Sequence, residues 1–281
     1  MQIVMFSKML KEIGNLTIEK AGDQIAKLGF NGVDLTVRAR GYILPEEVTH
    51  KLPEAIDTLK SKGLMVPMIT TNITSASEKY ADEIFRTASE CDVKFIKLGY
   101  WRYEGFGKIR KQIKAIRRSL IGIQKLSREY NITAGIHTHS GSFVTASPEV
   151  LYMLLNGFDP EFLCAYIDPG HMVVEGGRSG WEIGLDLLSD YVRIVAVKDF
   201  GWFKIIDPHA GEVKWKVKTV PLGEGLVPWS RVFEDLKRIG FDGVISVHSE
   251  YYDVDLDELL RRTRRDLEYL RRIIGSLWRG I

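Results

Sequence analysis

The chain lacks the features that mark a secreted, membrane-bound or nucleic-acid-binding protein. Its only cysteines, Cys91 and Cys164, are too far apart for a metal-binding or redox motif, which favours a reducing compartment. The formal net charge is only +2, so no strong field attracts nucleic acid or anionic lipid. No apolar run approaches the ~20 residues of a membrane span, and the N-terminus lacks the pattern of a signal peptide. We therefore expect a cytoplasmic protein with no nucleic-acid or membrane partner.

The composition is that of an ordinary globular protein. Hydrophobic residues make up 45% of the 281 residues and charged residues 27%, which is enough to build a full core. No linker or low-complexity segment divides the chain. We therefore expect residues 1–281 to form a single domain.

Short β-branched runs alternate with amphipathic helical stretches along the whole chain. The predicted strands are 2–7, 32–37, 64–71, 94–100, 132–137, 164–168, 192–198 and 243–248. Strands that alternate with helices form parallel sheets, and eight such units in one chain predict an α/β fold of the (β/α)8 TIM barrel type. A doubly wound open sheet is the alternative, but the sequence after the first strand, "FSKMLKEIGN", has no phosphate-cradling glycine pattern.

The long connection 199–227 has a pattern of its own. Two aromatic and β-branched runs flank the turn sequence Asp-Pro-His-Ala-Gly. Such a pattern predicts a β-hairpin that extends over the mouth of the barrel.

Polar side chains accumulate at the predicted C-terminal strand ends, where the active sites of TIM barrels lie. Four of the six histidines lie at or just after such an end, together with two carboxylates. The set consists of His137, His139, Asp168, His171, His248 and Glu250. If His137, Asp168 and His248 converge, they suit a divalent ion such as Mn, Fe, Co or Zn. The alternative is that these are ordinary loop residues or hydrogen-bonded barrel histidines.

Other strand ends offer groups for binding a ligand. Asp34 and Arg38 share one parity on strand 2, and the guanidinium of Arg38 suits a carboxylate or a phosphate, or is simply solvated. Lys198 ends strand 7 and either acts in catalysis or pairs with a neighbouring carboxylate. Trp101, after strand 4, would suit stacking on a sugar face or would cap the barrel. His139 is expected to bind substrate or to brace its loop.

Six motifs occur in an order that resembles a known family. They are "GFNGVDL", "HTHSG", "DPGHMVVEGG", "VKDF", "LGEGLVPW" and "FDGVISVHSEY". Together they resemble the xylose isomerase-like TIM barrels of the sugar phosphate isomerase/epimerase superfamily over essentially the whole chain. The resemblance implies activity on a small sugar-like substrate; endonuclease IV is a distant relative, and such barrels often form homo-oligomers.

The resemblance also implies a metal held by a glutamate, an aspartate, a histidine and a second glutamate from strands 5 to 8. Asp168 matches the aspartate, and His171 matches the substrate-binding histidine after it. The sequence departs at the other positions: His137 and His248 stand in place of the glutamates, and Ala196 in place of the histidine.

These departures change the chemistry that the site can perform. A carboxylate can bind a metal with one oxygen and take a proton with the other, but a neutral imidazole offers a single lone pair. Either His137 and His248 bind the ion and another group is the base, or they are the acid and base without a metal. Glu250 and Lys198 are the candidate partners in catalysis.

The first hypothesis is therefore an isomerase, epimerase or related lyase that acts through an enediolate. A metal at Asp168, or else Lys198 and Arg38, would stabilise the enediolate. The second hypothesis is a sugar-binding barrel that has lost catalysis. A nuclease like endonuclease IV would need more metal ligands and a basic groove, and a Schiff-base aldolase through Lys198 has no motif to support it.

Overall fold

The fold is a closed barrel of eight parallel strands, seen in a computed structural model that describes residues 1–206 and 211–278. The barrel strands are β1 (Gln2–Phe6), β2 (Gly32–Thr36), β3 (Met65–Thr70), β4 (Phe95–Lys97), β5 (Thr133–His137), β6 (Leu163–Ile167), β7 (Val192–Val197) and β10 (Val244–Val247). Strand β1 closes the ring because it pairs in parallel with both β2 and β10. The strands are short, apolar and mostly buried, as parallel strands covered by helices must be. The (β/α)8 prediction is confirmed.

Helices surround the barrel and present apolar faces to it. They are α1 (Lys8–Glu12), α2 (Ile18–Leu28), α3 (Val48–Lys60), α4 (Ala81–Glu90), α5 (Ile109–Tyr130), α6 (Pro148–Leu155), α7 (Pro169–Leu188), α8 (Trp229–Arg238) and α9 (Leu256–Trp278). In α8, for example, Trp229, Val232, Phe233 and Leu236 are buried at the spacing of one helical face. Within the described ranges, no helix combines the length and the apolar character needed to cross a membrane.

Side chains fill the interior of the barrel beneath the site. A compact cluster there consists of Val4, Met68, Cys164, Tyr166, Ile194, Ala196 and Val244. A much larger cluster packs the barrel against the helices. The barrel is therefore a packed core with an opening at one end, as is typical of this fold.

Helix α7 begins earlier than the sequence pattern predicts. The sequence pattern predicts a helix near 180–189, but α7 starts at Pro169, directly after β6. Asp168 is its N-cap, with Oδ1 accepting a hydrogen bond of 3.1 Å from the backbone N–H of His171, and proline is favoured at the first helical position. Gly177 interrupts the helix with φ 56° and ψ −141°, a conformation that glycine tolerates. This early start fixes Asp168 and His171 one helical turn apart.

A two-stranded hairpin leaves the barrel at the end of β7. Strands β8 (Asp199–Ile206) and β9 (Val213–Val220) pair antiparallel, from Asp199 opposite Val220 to Ile206 opposite Val213. The predicted hairpin strands are therefore confirmed. Residues 207–210 of the predicted turn, including His209, lie outside the described residues.

Candidate active site

A small cavity of about 90 Å³ opens at the C-terminal end of the barrel. Six of the residues predicted for the site line it: Arg38, His137, His139, Lys198, His248 and Glu250. They come from the ends of four different strands, and barrel closure alone brings them together. This is the convergence on which the predicted site depends.

Asp168 lies against the cavity and is the centre of a cluster of polar contacts. Its Oδ2 is 3.5 Å from Nε2 of His137, 3.7 Å from Nε2 of His171 and 3.2 Å from Nζ of Lys198. The carboxylate is fully buried. It reaches this position because it ends β6 and caps α7 with its other oxygen.

A tyrosine hydroxyl contacts each of the two histidines at the ends of β5 and β10, His137 and His248. The hydroxyl of Tyr100 is 2.8 Å from Nδ1 of His137, and the hydroxyl of Tyr166 is 2.8 Å from Nε2 of His248. The second nitrogen of each ring, Nε2 of His137 and Nδ1 of His248, is buried and makes no hydrogen bond in the described part of the chain. A carboxylate oxygen lies near each: Asp168 Oδ2 is 3.5 Å from Nε2 of His137, and Glu250 Oε2 is 3.8 Å from Nδ1 of His248. The ring centroids are 5.8 Å apart. Each imidazole is thus oriented by a tyrosine and has one nitrogen left for chemistry.

Lys198 joins the two carboxylates of the site. Its Nζ is 2.8 Å from Oε2 of Glu250 as well as 3.2 Å from Oδ2 of Asp168. Burial lowers the pKa of Lys198, but Asp168 and Glu250 more than offset it and the net shift is upward. Burial raises the pKa of Asp168 and of Glu250, but the ammonium of Lys198 outweighs it and holds both pKa values well below their usual range. All three groups are therefore charged at neutral pH.

Three histidines beside this network, His137, His139 and His171, are neutral at neutral pH. Burial, opposed by Asp168, holds the pKa of His137 well below its usual range. Burial and Lys198 do the same for His171 and lower the pKa of His139 to about 4. A neutral imidazole keeps a lone pair, which can accept a proton or bind a metal.

His137, Asp168 and His248 form a group that fits a divalent ion. Each offers one ligand atom, and these atoms lie within 4.8 Å of one another. Buried polar atoms on all three residues lack hydrogen bonds; Asp168 Oδ2 contacts Lys198, but not with hydrogen-bond geometry. Two imidazoles and a carboxylate are ligands that Zn²⁺, Fe²⁺, Co²⁺ and Mn²⁺ accept.

Three residues predicted to bind substrate do not line the cavity: His171, which contacts Asp168, and also Asp34 and Trp101. Asp34 is fully buried below the cavity, 4.0 Å from Nε2 of His248, and accepts hydrogen bonds from the hydroxyls of Thr70 (2.7 Å) and Ser246 (2.9 Å). Trp101 lines a separate groove. Strand β4 ends at Lys97, three residues earlier than predicted, so Trp101 lies in the irregular segment after the strand. Its neighbour Tyr100 points into the cavity instead.

Six residues that line the cavity were not identified from the sequence: Phe6, Lys8, Thr70, Lys97, Tyr100 and Tyr166. Two of them carried a usable signal. Lys97 is the last residue of β4, and Tyr166 has the same parity on β6 as Asp168. Lys8 and Tyr100 lie beyond the ends of β1 and β4, where the two-residue alternation of a strand no longer applies. No sequence pattern therefore indicated where their side chains point.

A larger cavity of about 540 Å³ lies at the opposite end of the barrel. Gln2, Met65 and Asp242 line it at the N-terminal ends of their strands, and no histidine does. In TIM barrels the active site lies at the C-terminal ends of the strands. We therefore assign the candidate site to the smaller cavity.

These features define a (β/α)8 barrel with a buried, charged site at its C-terminal mouth. The chain belongs to the xylose isomerase-like TIM barrel family, which it matches over residues 23–273. The family predicted from the sequence is thereby confirmed. No curated protein sequence matches the chain significantly.

Solved structures share the fold at low sequence identity. A D-tagatose 3-epimerase-like protein aligns with a TM-score of 0.71 at 18% identity, covering 99% of this chain and 98% of that one. The 3-keto-D-glucoside 4-epimerase of E. coli aligns with a TM-score of 0.70 at 15% identity (97% and 99%). A xylose isomerase-like barrel from Mycobacterium smegmatis in complex with magnesium gives 0.70 at 13% identity (98% and 97%). At these identities the likeness shows the fold alone.

Proposed function

We propose that the protein is a sugar isomerase or epimerase that moves a proton next to the carbonyl of a small hydroxy-ketone. The observation that carries the proposal is the pair His137 and His248, each oriented by a tyrosine and each with one open nitrogen beside the cavity. Membership of the family and the epimerases among its structural neighbours support the same class of reaction.

The two histidines supply the proton-transfer groups in this proposal. One open nitrogen takes the proton from the carbon next to the carbonyl, and the other histidine returns a proton to the enediolate. Their rings are 5.8 Å apart, which leaves a reacting carbon within reach of both. The tyrosines hold the rings in one orientation, as the orienting partner of a general base does.

Lys198 supplies positive charge where the enediolate oxygen forms. Its ammonium is buried and already fixed by Asp168 and Glu250, so little reorganisation accompanies the reaction. Asp168 keeps the lysine in place. Glu250, bound by both Lys8 and Lys198, is a weaker base than a free carboxylate.

His137, Asp168 and His248 would hold a divalent ion of the Mn, Fe, Co or Zn type. When bound, such an ion supplies Lewis-acid stabilisation of negative charge on oxygen. Its ligands would then include both histidines, and Glu250 would become the proton carrier. Metal dependence of the reaction therefore separates these two arrangements of the same site.

The test is interconversion of a panel of ketoses and hydroxy-keto acids, followed by chromatography of the products. The protein is assayed with each metal and with chelator. We expect one substrate class to give an isomer or epimer, with loss of at least about 100-fold in Asp168→Asn. His50→Gln, an exposed histidine on α3, is the matched control and should keep full activity. Binding of sugars with no product from any of them would instead identify a sugar-binding barrel.

A further inference from the structure

Lys97 is a buried amine at the edge of the cavity, and within the described residues it has no ion-pair partner. Its side chain is 2% exposed, and Nζ makes no hydrogen bond to any described residue. Nζ lies 3.5 Å from the centroid of the Tyr100 ring. A polar group buried in this way costs free energy unless a partner satisfies it. The proposed proton transfer does not use Lys97.

Arg38 faces the same cavity and is also without an ion pair in residues 1–206 and 211–278. Its guanidinium is 5.8 Å from the ring centroid of Phe6. Burial first, and then the charge of Arg38, hold the pKa of Lys97 well below its usual range. Both side chains line the same cavity, and the charge of Arg38 acts on Lys97 in the same direction as burial does.

The carboxylates of the site are already engaged elsewhere. Glu250 binds Lys8 and Lys198 at 2.8 Å each, and Asp168 contacts Lys198. Asp34 accepts hydrogen bonds from two hydroxyl groups. Of the four cations that line the cavity, Lys97 and Arg38 are thus the two that no protein carboxylate neutralises in the described chain.

We propose that Lys97 and Arg38 form a subsite for an oxyanion, a carboxylate or a phosphate, carried by the substrate. An anion between them removes their repulsion and supplies the acceptor that Nζ of Lys97 lacks. The planar guanidinium can bind two oxygens of such a group at once. The inference rests on the proposed function for its substrate class, which becomes an anionic hydroxy-ketone rather than a neutral sugar.

The size of the cavity limits what accompanies the anion. Its volume of about 90 Å³ is well below the roughly 300–1,000 Å³ of a typical small-molecule site. A short carbon chain ending in the oxyanion fits this space, with the carbonyl end directed toward His137 and His248.

The test is calorimetric titration of the chelator-treated protein with inorganic phosphate and, separately, with glycerate. We expect binding of one equivalent of at least one probe, and the preferred probe tells phosphate from carboxylate. Lys97→Met and Arg38→Gln should each weaken that binding about tenfold or more. Arg40→Gln removes an exposed charge two residues from Arg38 and should bind as the unchanged protein does.

Absence of binding of both probes, or equal affinity in Arg38→Gln and the unchanged protein, overturns the inference. Arg38 is partly exposed, so its variant gives an answer even if Lys97→Met fails to fold. The chelator removes any metal that could itself bind the anion. Epimerisation of neutral ketoses without anion binding would overturn the subsite alone, whereas anion binding without any isomerisation would overturn the proposed function alone.

Discussion

The ammonium of Lys198 lies 3.2 Å from Oδ2 of Asp168, the carboxylate oxygen that Nε2 of His137 and Nε2 of His171 also approach. A protein cation therefore stands beside the oxygen that a divalent ion would use. Lys198 and a metal compete for the same negative charge, and this competition makes the role of the lysine measurable.

Removing the ammonium should destabilise the protein and strengthen its binding of metal. Lys198→Met leaves Asp168 and Glu250 buried with less compensation, and breaking a buried ion pair costs roughly 3–5 kcal/mol. Urea unfolding in chelator should show this loss, and Mn²⁺ or Zn²⁺ should restore more stability to the variant than to the unchanged protein. Lys51→Met, in an exposed pair with Glu54, is the control and should leave stability unchanged. Equal metal affinity with and without Lys198 would show that the lysine does not compete with a metal.

Removing the hydroxyl that orients His137 should weaken function without disturbing the fold. Tyr100→Phe keeps the ring against Lys97 but removes the 2.8 Å contact with Nδ1. Loss of such an orienting partner costs about 10–100-fold in activity or metal affinity. The ¹⁵N chemical shifts of His137 should also move, because Nδ1 loses its hydrogen-bond partner. Tyr103→Phe, an exposed neighbour, should change neither; unchanged His137 shifts in Tyr100→Phe would assign Tyr100 a packing role only.

The stability of the barrel should fall as the pH rises through about 6 because of Asp266. Burial raises the pKa of Asp266 from 3.8 to about 6, although Tyr251 and the backbone of Leu222 donate hydrogen bonds that oppose this. The folded state therefore binds the proton more tightly than the unfolded state. The stabilisation is fully present below pH 3.8 and is lost as the pH rises through the folded pKa.

Asp266→Asn removes this titration and isolates its contribution. The difference in free energy of unfolding between the two proteins should change by about 2 kcal/mol between pH 4 and 7. Asp257→Asn, exposed in the first turn of α9, should keep the original pH profile. Parallel profiles for Asp266→Asn and the unchanged protein would mean that Asp266 titrates normally.

The position of the site follows from the sequence because strand ends can be found by pattern. His137 ends β5, Asp168 follows β6, and Lys198 follows β7, so barrel closure places them at one mouth. The polar residue after each strand is thus informative once the fold is predicted. The position of the site can therefore be predicted without knowing how the side chains pack.

The detailed contacts do not follow from the sequence because they depend on where regular backbone ends. The prediction of Trp101 rests only on its position after strand 4, and β4 stops at Lys97, so no strand alternation sets the direction of the Trp101 side chain. The direction of Tyr100 is set by the segment after the strand. Lys97 is buried, and its Nζ has no hydrogen-bond acceptor in the described chain. This could not be predicted, because the residues around Lys97 come from distant parts of the chain and meet only in the closed barrel.

The most direct test of the central claim is exchange of the carbon-bound proton next to the carbonyl, followed by proton NMR in D₂O. Hydroxy-ketones with and without a carboxylate or phosphate are incubated with the metal-loaded and the chelator-treated protein. The account predicts that the proton resonance of one substrate class disappears, and that exchange is lost in the double variant His137→Ala, His248→Ala. Retention of every such proton by the unchanged, folded protein, or full exchange in the double variant, would contradict it.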